Sequence, residues 1–571
     1  MPRPQNNRGP RPQGRPNNSG APRRNNNNNR PPQTAPKPKP KDDDGEGEIE
    51  LTDVRLDEIK PERTSGTPLL LNGNRARAIW LKTSSDPVRA LHEIRAARLF
   101  RFALYRTGGE YLPIRTVRLI SEAEASGVLV GDLAVDAGIV SKQDAMRMAD
   151  WSGGCVSVVK GGRLGVYGAE IAGAQLGLWR VLSRLGIEYL SADRFKVPES
   201  SPRSLADFTD VCLPKTVLRT TSERCGINSE LRGLIHWGHV FDNHAVGANP
   251  ETSVLSGDSL GYIVGVEEFS ETHPEFFAQQ ADGKRLGRGT APGLTQFCWS
   301  CEGLVRIVAE RYVEIMRKCP EQKLFWLAPG DGGNRYCKCD RCKALGSTSD
   351  GMVSFGNRVA AETAKAFPDN RLYMYSYVDP PYPPTKVERM HPNLKMGYCI
   401  YPEATWPSAM IWDHPANARG FEALDGWRKL VPDIGCEAYY QQCGEWMTHW
   451  PGYDCDFKMA RDFASQPVPS FITYRFGMTP RHRNGGISQC SSFCDLLCYV
   501  MPRIEGNPNE DPIALSHAYI SAQYGVAAVP MQAYFDLSFA EPKRRDWVQR
   551  CEQHLNGFIT PGYAAKALGH L

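Results

Sequence analysis

From about residue 213 to 510, short apolar runs alternate with longer stretches whose apolar residues recur every three to four positions. The runs include Gly233-Leu-Ile-His-Trp237, Leu324-Phe-Trp-Leu327, Leu372-Tyr-Met-Tyr-Ser-Tyr377, Leu394-Lys-Met-Gly-Tyr-Cys-Ile400, Ile434-Gly-Cys-Glu-Ala-Tyr-Tyr440 and Phe471-Ile-Thr-Tyr474. Their length and apolar density predict buried strands. Helices are predicted between several of them, over Glu302 to Lys318, Ser354 to Phe367 and Gly420 to Leu430. Strand–helix units repeated over this length predict a parallel (β/α)8 TIM-type barrel over residues 213–510, with an open α/β sheet as the alternative.

Upstream, residues 75–210 predict a small α/β domain. Ala78-Ile-Trp-Leu81 reads as a strand and Asp86 to Tyr105 as an amphipathic helix. Cys155 to Tyr167 reads as a hairpin turning at Gly161-Gly162, and Gly173 to Leu185 as a helix closed by Gly186. Residues 511–571 predict a helical C-terminal extension. The fold class is therefore α/β throughout.

Residues 1–50 break every periodic pattern. They are rich in Pro, Asn, Arg and Gly, include the run Asn25 to Asn29, and predict a disordered basic tail. The formal net charge is +4, but the segment up to Lys41 carries ten basic residues and no acid, so the rest is mildly acidic, about −6. That balance argues against a nucleic-acid-binding folded part and leaves the tail with either an anionic partner or a solubilising role. No apolar span is long enough to cross a bilayer, and no apolar signal region opens the chain, so a cytoplasmic location is expected. The 17 cysteines then read as reduced thiols and metal ligands rather than a disulfide framework.

A parallel barrel keeps its working groups at the C-terminal ends of its strands. At those ends stand the acids Asp331, Glu437 and Glu445, together with His239, His244, Tyr377, Trp412, Trp446 and Arg475. No phosphate-cradling loop, dinucleotide fingerprint or nucleophile elbow accompanies them. Paired carboxylates among aromatics suit glycoside hydrolysis, in which one protonates the leaving oxygen and the other attacks or activates water. Asp331 and Glu437 are the leading pair and Glu445 the third candidate; the other residues would position a carbohydrate substrate. Each also has a plainer reading. Asp331 could shape the turn Pro329-Gly-Asp-Gly-Gly333, the histidines could be satisfied loop residues, and the tryptophans could be core.

Cys337, Cys339 and Cys342 lie in one short loop spaced C-x-C-x-x-C, and Cys298 lies at the preceding strand–helix junction. Neighbouring barrel strands would bring these loops together. Four thiolates would complete a tetrahedral structural zinc site with no position left for water. A set of metal-free thiols is the alternative.

Several motifs together resemble a known group. They are Gly161-Gly-Arg-Leu-Gly-Val-Tyr-Gly168, His273-Pro-Glu-Phe-Phe277, Asp282-Gly-Lys-Arg285, Gln296-Phe-Cys298, Asp331 with the three-cysteine cluster, Trp412-Asp-His414 and Tyr524-Gly525. In this order they resemble the bacterial "domain of unknown function 4838" family over roughly residues 75–540. That family is similar in fold to glycoside hydrolases such as α-glucuronidases and β-hexosaminidases. The resemblance implies a barrel preceded by a small α/β domain. Gly332 stands where a hexosaminidase-type Asp-Glu pair would have Glu, so that pair is not implied here. Two functions remain: a glycoside hydrolase acting on an acidic or amino sugar, or a non-catalytic carbohydrate- or anion-binding assembly protein with a zinc clip.

Overall fold

The computed structural model describes residues 65–83, 87–123, 126–149, 154–168, 173–191, 194–197, 203–213, 216–221, 259–319, 324–330, 335–376, 382–400, 411–440, 451–465, 470–476, 493–548 and 557–570. The expected tail over 1–50 lies outside them.

The first sheet is built from β1 (Ile79–Lys82), β2 (Ile114–Val117), β3 (Gly127–Val130), β4 (Cys155–Lys160), β5 (Arg163–Gly168) and β6 (Phe208–Cys212), in the order β6-β4-β5-β3-β1-β2. Strands β2, β1, β3 and β5 run parallel, while β4 is antiparallel to both of its neighbours. The β4–β5 hairpin turns at Gly161 and Gly162, both at positive φ. A tight turn matching the twist of its strands demands that conformation at both central residues, and glycine adopts it without a Cβ penalty. Two helices, α1 (Pro87–Arg106) and α2 (Gly173–Arg184), cover one face, where Ile79, Leu81, Val128 and Val166 join Phe100, Leu178 and Leu182. Shorter helices at Asp132–Asp136 and Lys142–Ala149 cover the other, where Trp80, Leu129 and Val156 meet Leu133 and Met148. A sheet sandwiched this way needs apolar side chains on both faces, which is why its strands read as continuous apolar runs.

The second sheet is wholly parallel. Its strands are β7 (Thr216–Thr221), β8 (Leu324–Trp326), β9 (Arg371–Ser376), β10 (Leu394–Ile400), β11 (Gly435–Tyr440) and β12 (Ser470–Phe476), in the order β7-β12-β11-β10-β9-β8. The first strand in sequence therefore pairs with the last. The helices α3 (Glu302–Lys318), α4 (Asp340–Leu345), α5 (Thr348–Ala364), α6 (Ala418–Leu430) and α7 (Tyr453–Ala464) lie between the strands in sequence. In α3, Leu304, Val308, Tyr312 and Met316 are buried at helical spacing; Glu302 opens the helix, and Arg317 and Lys318 close it, complementing its dipole.

The expected eight-stranded barrel is not closed among the described residues. Among the described residues the sheet has six strands and is open between β7 and β8. The expected strand Gly233–Trp237 lies outside them. Residues 259–319 supply short helices, isolated bridges and α3 instead of a strand. The free edge of β8 is satisfied locally. The Trp326 carbonyl accepts from Ser259 Oγ (2.8 Å) and from the Tyr312 hydroxyl, and the Ala328 carbonyl accepts from the Leu260 N–H (2.9 Å). Buried backbone groups need such partners wherever no neighbouring strand supplies them.

The helices α8 (Cys494–Gly506), α9 (Pro512–Tyr524) and α10 (Ala528–Arg545) follow the second sheet in sequence. Phe535 and Phe539 of α10 pack on Tyr453 of α7, with ring centroids 5.2 and 6.1 Å away. No helix among the described residues is long and apolar enough to cross a membrane.

Candidate metal centre and the tyrosine face of the parallel sheet

Three backbone segments bring four cysteines together. Residues 276–278 and 296–298 form a short antiparallel ribbon, in which the Cys298 N–H donates to the Phe276 carbonyl (2.8 Å) and the Ala278 N–H to the Gln296 carbonyl (3.0 Å). The third segment, 337–342, docks beside it through the Lys338 N–H, which donates to the Gln279 carbonyl (2.8 Å). Cys339 then caps α4, and its sulfur accepts from the Cys342 N–H at 3.4 Å. Cys298, Cys337, Cys339 and Cys342 thus place their sulfurs within 4.8 Å of one another. The sulfur of Cys298 is 3.7 Å from those of Cys339 and Cys342.

These spacings are diagnostic. A disulfide would need about 2.05 Å between sulfurs. Four thiolates about 2.3 Å from a central ion stand roughly 3.8 Å apart along the tetrahedron's edges. The residues therefore form a four-cysteine cluster that could bind a metal. Cys301, although in C-x-x-C spacing with Cys298, is not part of it.

The surroundings favour a negatively charged cluster. Cys337 Sγ accepts from the Gln279 N–H at 3.3 Å, and the Ser300 hydroxyl lies 3.3 Å from Cys342 Sγ and 3.4 Å from Cys298 Sγ. The guanidinium of Arg285, held by the Phe277 carbonyl (2.6 Å), also reaches Cys298. The thiols of Cys337 and Cys342 donate to Cys298 and drive its ionisation far down; donating to Cys298 and Cys337 drives that of Cys342 far up.

The second feature is one face of the parallel sheet. Phe325, Leu327, Leu372, Met374, Leu394, Met396 and Tyr398 pack into the main core, and the Tyr398 hydroxyl reaches the Gly420 carbonyl of α6 (3.3 Å). The alternate positions form a separate cluster of Leu324, Trp326, Ala328, Tyr373 and Tyr375 on the opposite face. Trp326 meets Tyr373 and Tyr375 nearly edge-on, at 4.4 and 6.0 Å between ring centroids. The Tyr373 hydroxyl lies over Gly397 so closely that no Cβ could fit there. Partners in a parallel ladder share a face. The register links Tyr375 to Gly397, Gly397 to Gly435, Cys399 to Glu437, Glu437 to Thr473, and Tyr439 to Arg475. Glu437 and Arg475 therefore stand at ladder positions in line with the tyrosines.

The expected site residues fall out as follows. Cys298, Cys337, Cys339 and Cys342 come together. Glu437 and Arg475 belong to β11 and β12. Trp412 is only 9% exposed and packs edge-on against Phe421, with its carbonyl accepting from Asn417 (2.8 Å), so little of its ring is open to a ligand. Asp331, Glu445, His239, His244, Tyr377 and Trp446 lie outside the described residues. Flanking residues still fix the ends of the short segment carrying Asp331. Gln296, between the ribbon's cysteine and its start, donates to the Gly330 carbonyl, and Gln280 donates to the Arg335 carbonyl (2.9 Å). Sequence reasoning gave no role to Arg285, Ser300, Trp326 or Tyr373. For Tyr373 a signal existed, because tyrosine recurs at every second position from 373 to 377.

The chain belongs to the family described as "Domain of unknown function (DUF4838)", whose profile matches residues 189–536. No curated protein matches the sequence. Among solved structures, the β-N-acetylhexosaminidase from Bacteroides fragilis NCTC 9343 is similar at 11% identity and a TM-score of 0.40, over 82% of this chain and 95% of that one. The GH20 β-N-acetylhexosaminidase from Streptomyces coelicolor A3(2) is similar at 12% identity and 0.41, over 82% and 95%. A family 89 glycoside hydrolase from Clostridium perfringens, solved with 2-acetamido-1,2-dideoxynojirmycin, is similar at 10% and 0.44, over 82% and 54%.

Proposed function

We propose that this DUF4838 member is a carbohydrate-active protein, a glycoside hydrolase that cleaves the bond of an acidic or amino sugar with Asp331 and Glu437 as its carboxylate pair. The observation that carries the reading is the strand register. It supports placing Glu437 and Arg475 at ladder positions in line with Tyr373 and Tyr375, which cluster with Trp326. Aromatic edges beside a carboxylate suit a sugar, whose apolar ring faces stack and whose hydroxyls accept and donate. Asp331 follows β8 by five residues, at the strand end where a parallel sheet gathers its chemistry. One carboxyl would protonate the glycosidic oxygen, and the other would attack the anomeric carbon or deprotonate water. Glu445 is the reserve acid; His239, His244, Tyr377 and Trp446 would hold substrate.

In the same reading the four cysteines hold one zinc ion. Four protein ligands leave no open coordination position, so the metal is structural and takes no part in the hydrolysis. Its role is to fix the ribbon that holds Gly330 and Arg335, and through them the segment carrying Asp331.

The test is a panel of aryl glycosides, N-acetylhexosaminides and uronides, run with the wild type and with Asp331→Asn and Glu437→Gln. Hydrolysis of one class is expected, with kcat lowered at least 10³-fold in each variant and the unfolding temperature unchanged. Full activity in both variants would overturn the carboxylate assignment. Saturable sugar binding without turnover would favour the non-catalytic binder.

A further inference from the structure

A second sulfur pair lies in the first sheet, apart from the four-cysteine cluster. Cys155 opens β4 and Cys212 closes β6, and the two are direct partners across the antiparallel ladder. Such partners have Cα atoms about 4.5 or 5.5 Å apart, depending on their place in the hydrogen-bond pattern. Both values fall within the roughly 4.4–6.8 Å that a disulfide spans. Cys155 is buried, Cys212 is half-buried, and the Cys155 thiol donates a hydrogen bond to the Cys212 sulfur. Among the described residues, no other Cys, His, Asp or Glu joins this pair in a metal-ligating group.

The charges around the pair distinguish the two sulfurs. Arg180 of α2 binds Asp210 through Nε (2.6 Å) and Nη2 (2.9 Å), and its positive charge also acts on both cysteines. Arg184 adds a second cation 3.3 Å from Asp210. Cations beside an accessible sulfur favour its thiolate, the form that attacks disulfides. Donation to Cys212, and then burial, hold the Cys155 thiol well above the ordinary thiol range.

We propose that Cys155 and Cys212 are a redox modification site, a dithiol that closes to a reversible cross-strand disulfide, with Cys212 as the attacking residue and Cys155 as the resolving one. With glutathione disulfide as the oxidant, the Cys212 thiolate attacks one of its sulfurs and expels a glutathione thiolate, leaving a mixed disulfide. Cys155 then loses its proton to solvent and attacks the Cys212 sulfur, expelling the second glutathione thiolate. Two protein thiols are oxidised, and one glutathione disulfide is reduced to two thiols. Cys212 ends β6, and β7 begins at Thr216. The bond therefore pins the passage from the first sheet to the second.

The experiment treats the full-length protein with millimolar glutathione disulfide and reads intact mass and a non-reducing tryptic map. The expected product has lost two hydrogens, carries no glutathione, and yields peptide 148–160 joined to peptide 204–215. In Cys155→Ser, glutathione should persist on Cys212, because nothing resolves it. A lasting glutathione adduct on Cys212 in the wild type, or both cysteines left unmodified, would overturn the proposal. The wild-type map alone decides the matter if the variant fails to fold. Dithiothreitol should restore the starting mass.

Discussion

The two six-stranded sheets treat their faces differently. In the first, alternate residues of the same strands feed two large apolar cores: Val128 and Val130 on one side, Leu129 on the other. In the second, one face likewise feeds the main core, but the other gathers Trp326, Tyr373 and Tyr375 around Ala328 in a small cluster of their own. The contrast separates a sheet with a large apolar core on each face from one whose second face ends in a small aromatic cluster.

The strongest way to break this comparison is to disrupt the four-cysteine cluster beside the second sheet. Cys298→Ser should reduce bound zinc from one ion per chain to near none and lower stability by about 4 kcal/mol or more, read by elemental analysis and urea unfolding. Metal-free wild type of full stability would show that the cluster is a set of packed thiols. Next in size is Leu129→Ala, which opens a cavity at a fully buried position of the first sheet. It should cost about 4 kcal/mol in urea unfolding and leave the kcat of sugar hydrolysis unchanged. A changed kcat would mean that the first sheet is not merely scaffold.

Trp326→Ala probes the opposite case. The side chain is half-buried on the tyrosine face, where it meets Tyr373 and Tyr375. The substitution should cost about 3 kcal/mol of stability and, unlike Leu129→Ala, weaken sugar binding roughly tenfold, measured as KM or by calorimetry. Equal sugar affinity in the two proteins would return Trp326 to the core.

Local pattern carried much of this into the sequence. The helix expected over Glu302 to Lys318 forms over those residues, because its apolar residues and terminal charges agree. The hairpin at Gly161-Gly162 was legible because two consecutive glycines at a strand end have few other uses. Three ligands of the cysteine cluster are neighbours in sequence, so only Cys298 required a spatial argument. What could not be read is non-local. Strand β7 is Thr-Val-Leu-Arg-Thr-Thr, too polar to stand out, and its pairing with β12 joins residues some 250 positions apart. Arg285 and Ser300 gain their meaning only from the sulfurs beside them, which spacing does not encode.

The smallest effect sharpens the comparison most, because it concerns a carboxylate that is plainly structural. Asp350 is fully buried at the start of α5, on the helical side of the second sheet. It accepts from the Ser347 N–H (2.8 Å) and hydroxyl (2.6 Å), the Thr385 hydroxyl (3.2 Å), and the N–H groups of Lys386 (2.6 Å) and Val387 (3.2 Å). Burial alone would raise its pKa, but these donors outweigh it and hold the carboxyl down to about 2. A carboxyl with a lower pKa folded than unfolded stabilises the protein above the unfolded value, near 4, and loses that contribution as pH falls toward 2. Asp350→Asn should therefore cost about 2 kcal/mol at pH 7, and the gap to wild type should narrow to about half by pH 3, in urea unfolding at each pH. Hydrolysis at neutral pH should persist. Glu437→Gln should do the reverse, with stability kept and turnover lost. A gap for Asp350→Asn that stays constant with pH would show that its donors do not hold the carboxylate in the folded chain, and the distinction between a satisfied structural acid and a working one would have to rest on Glu437 alone.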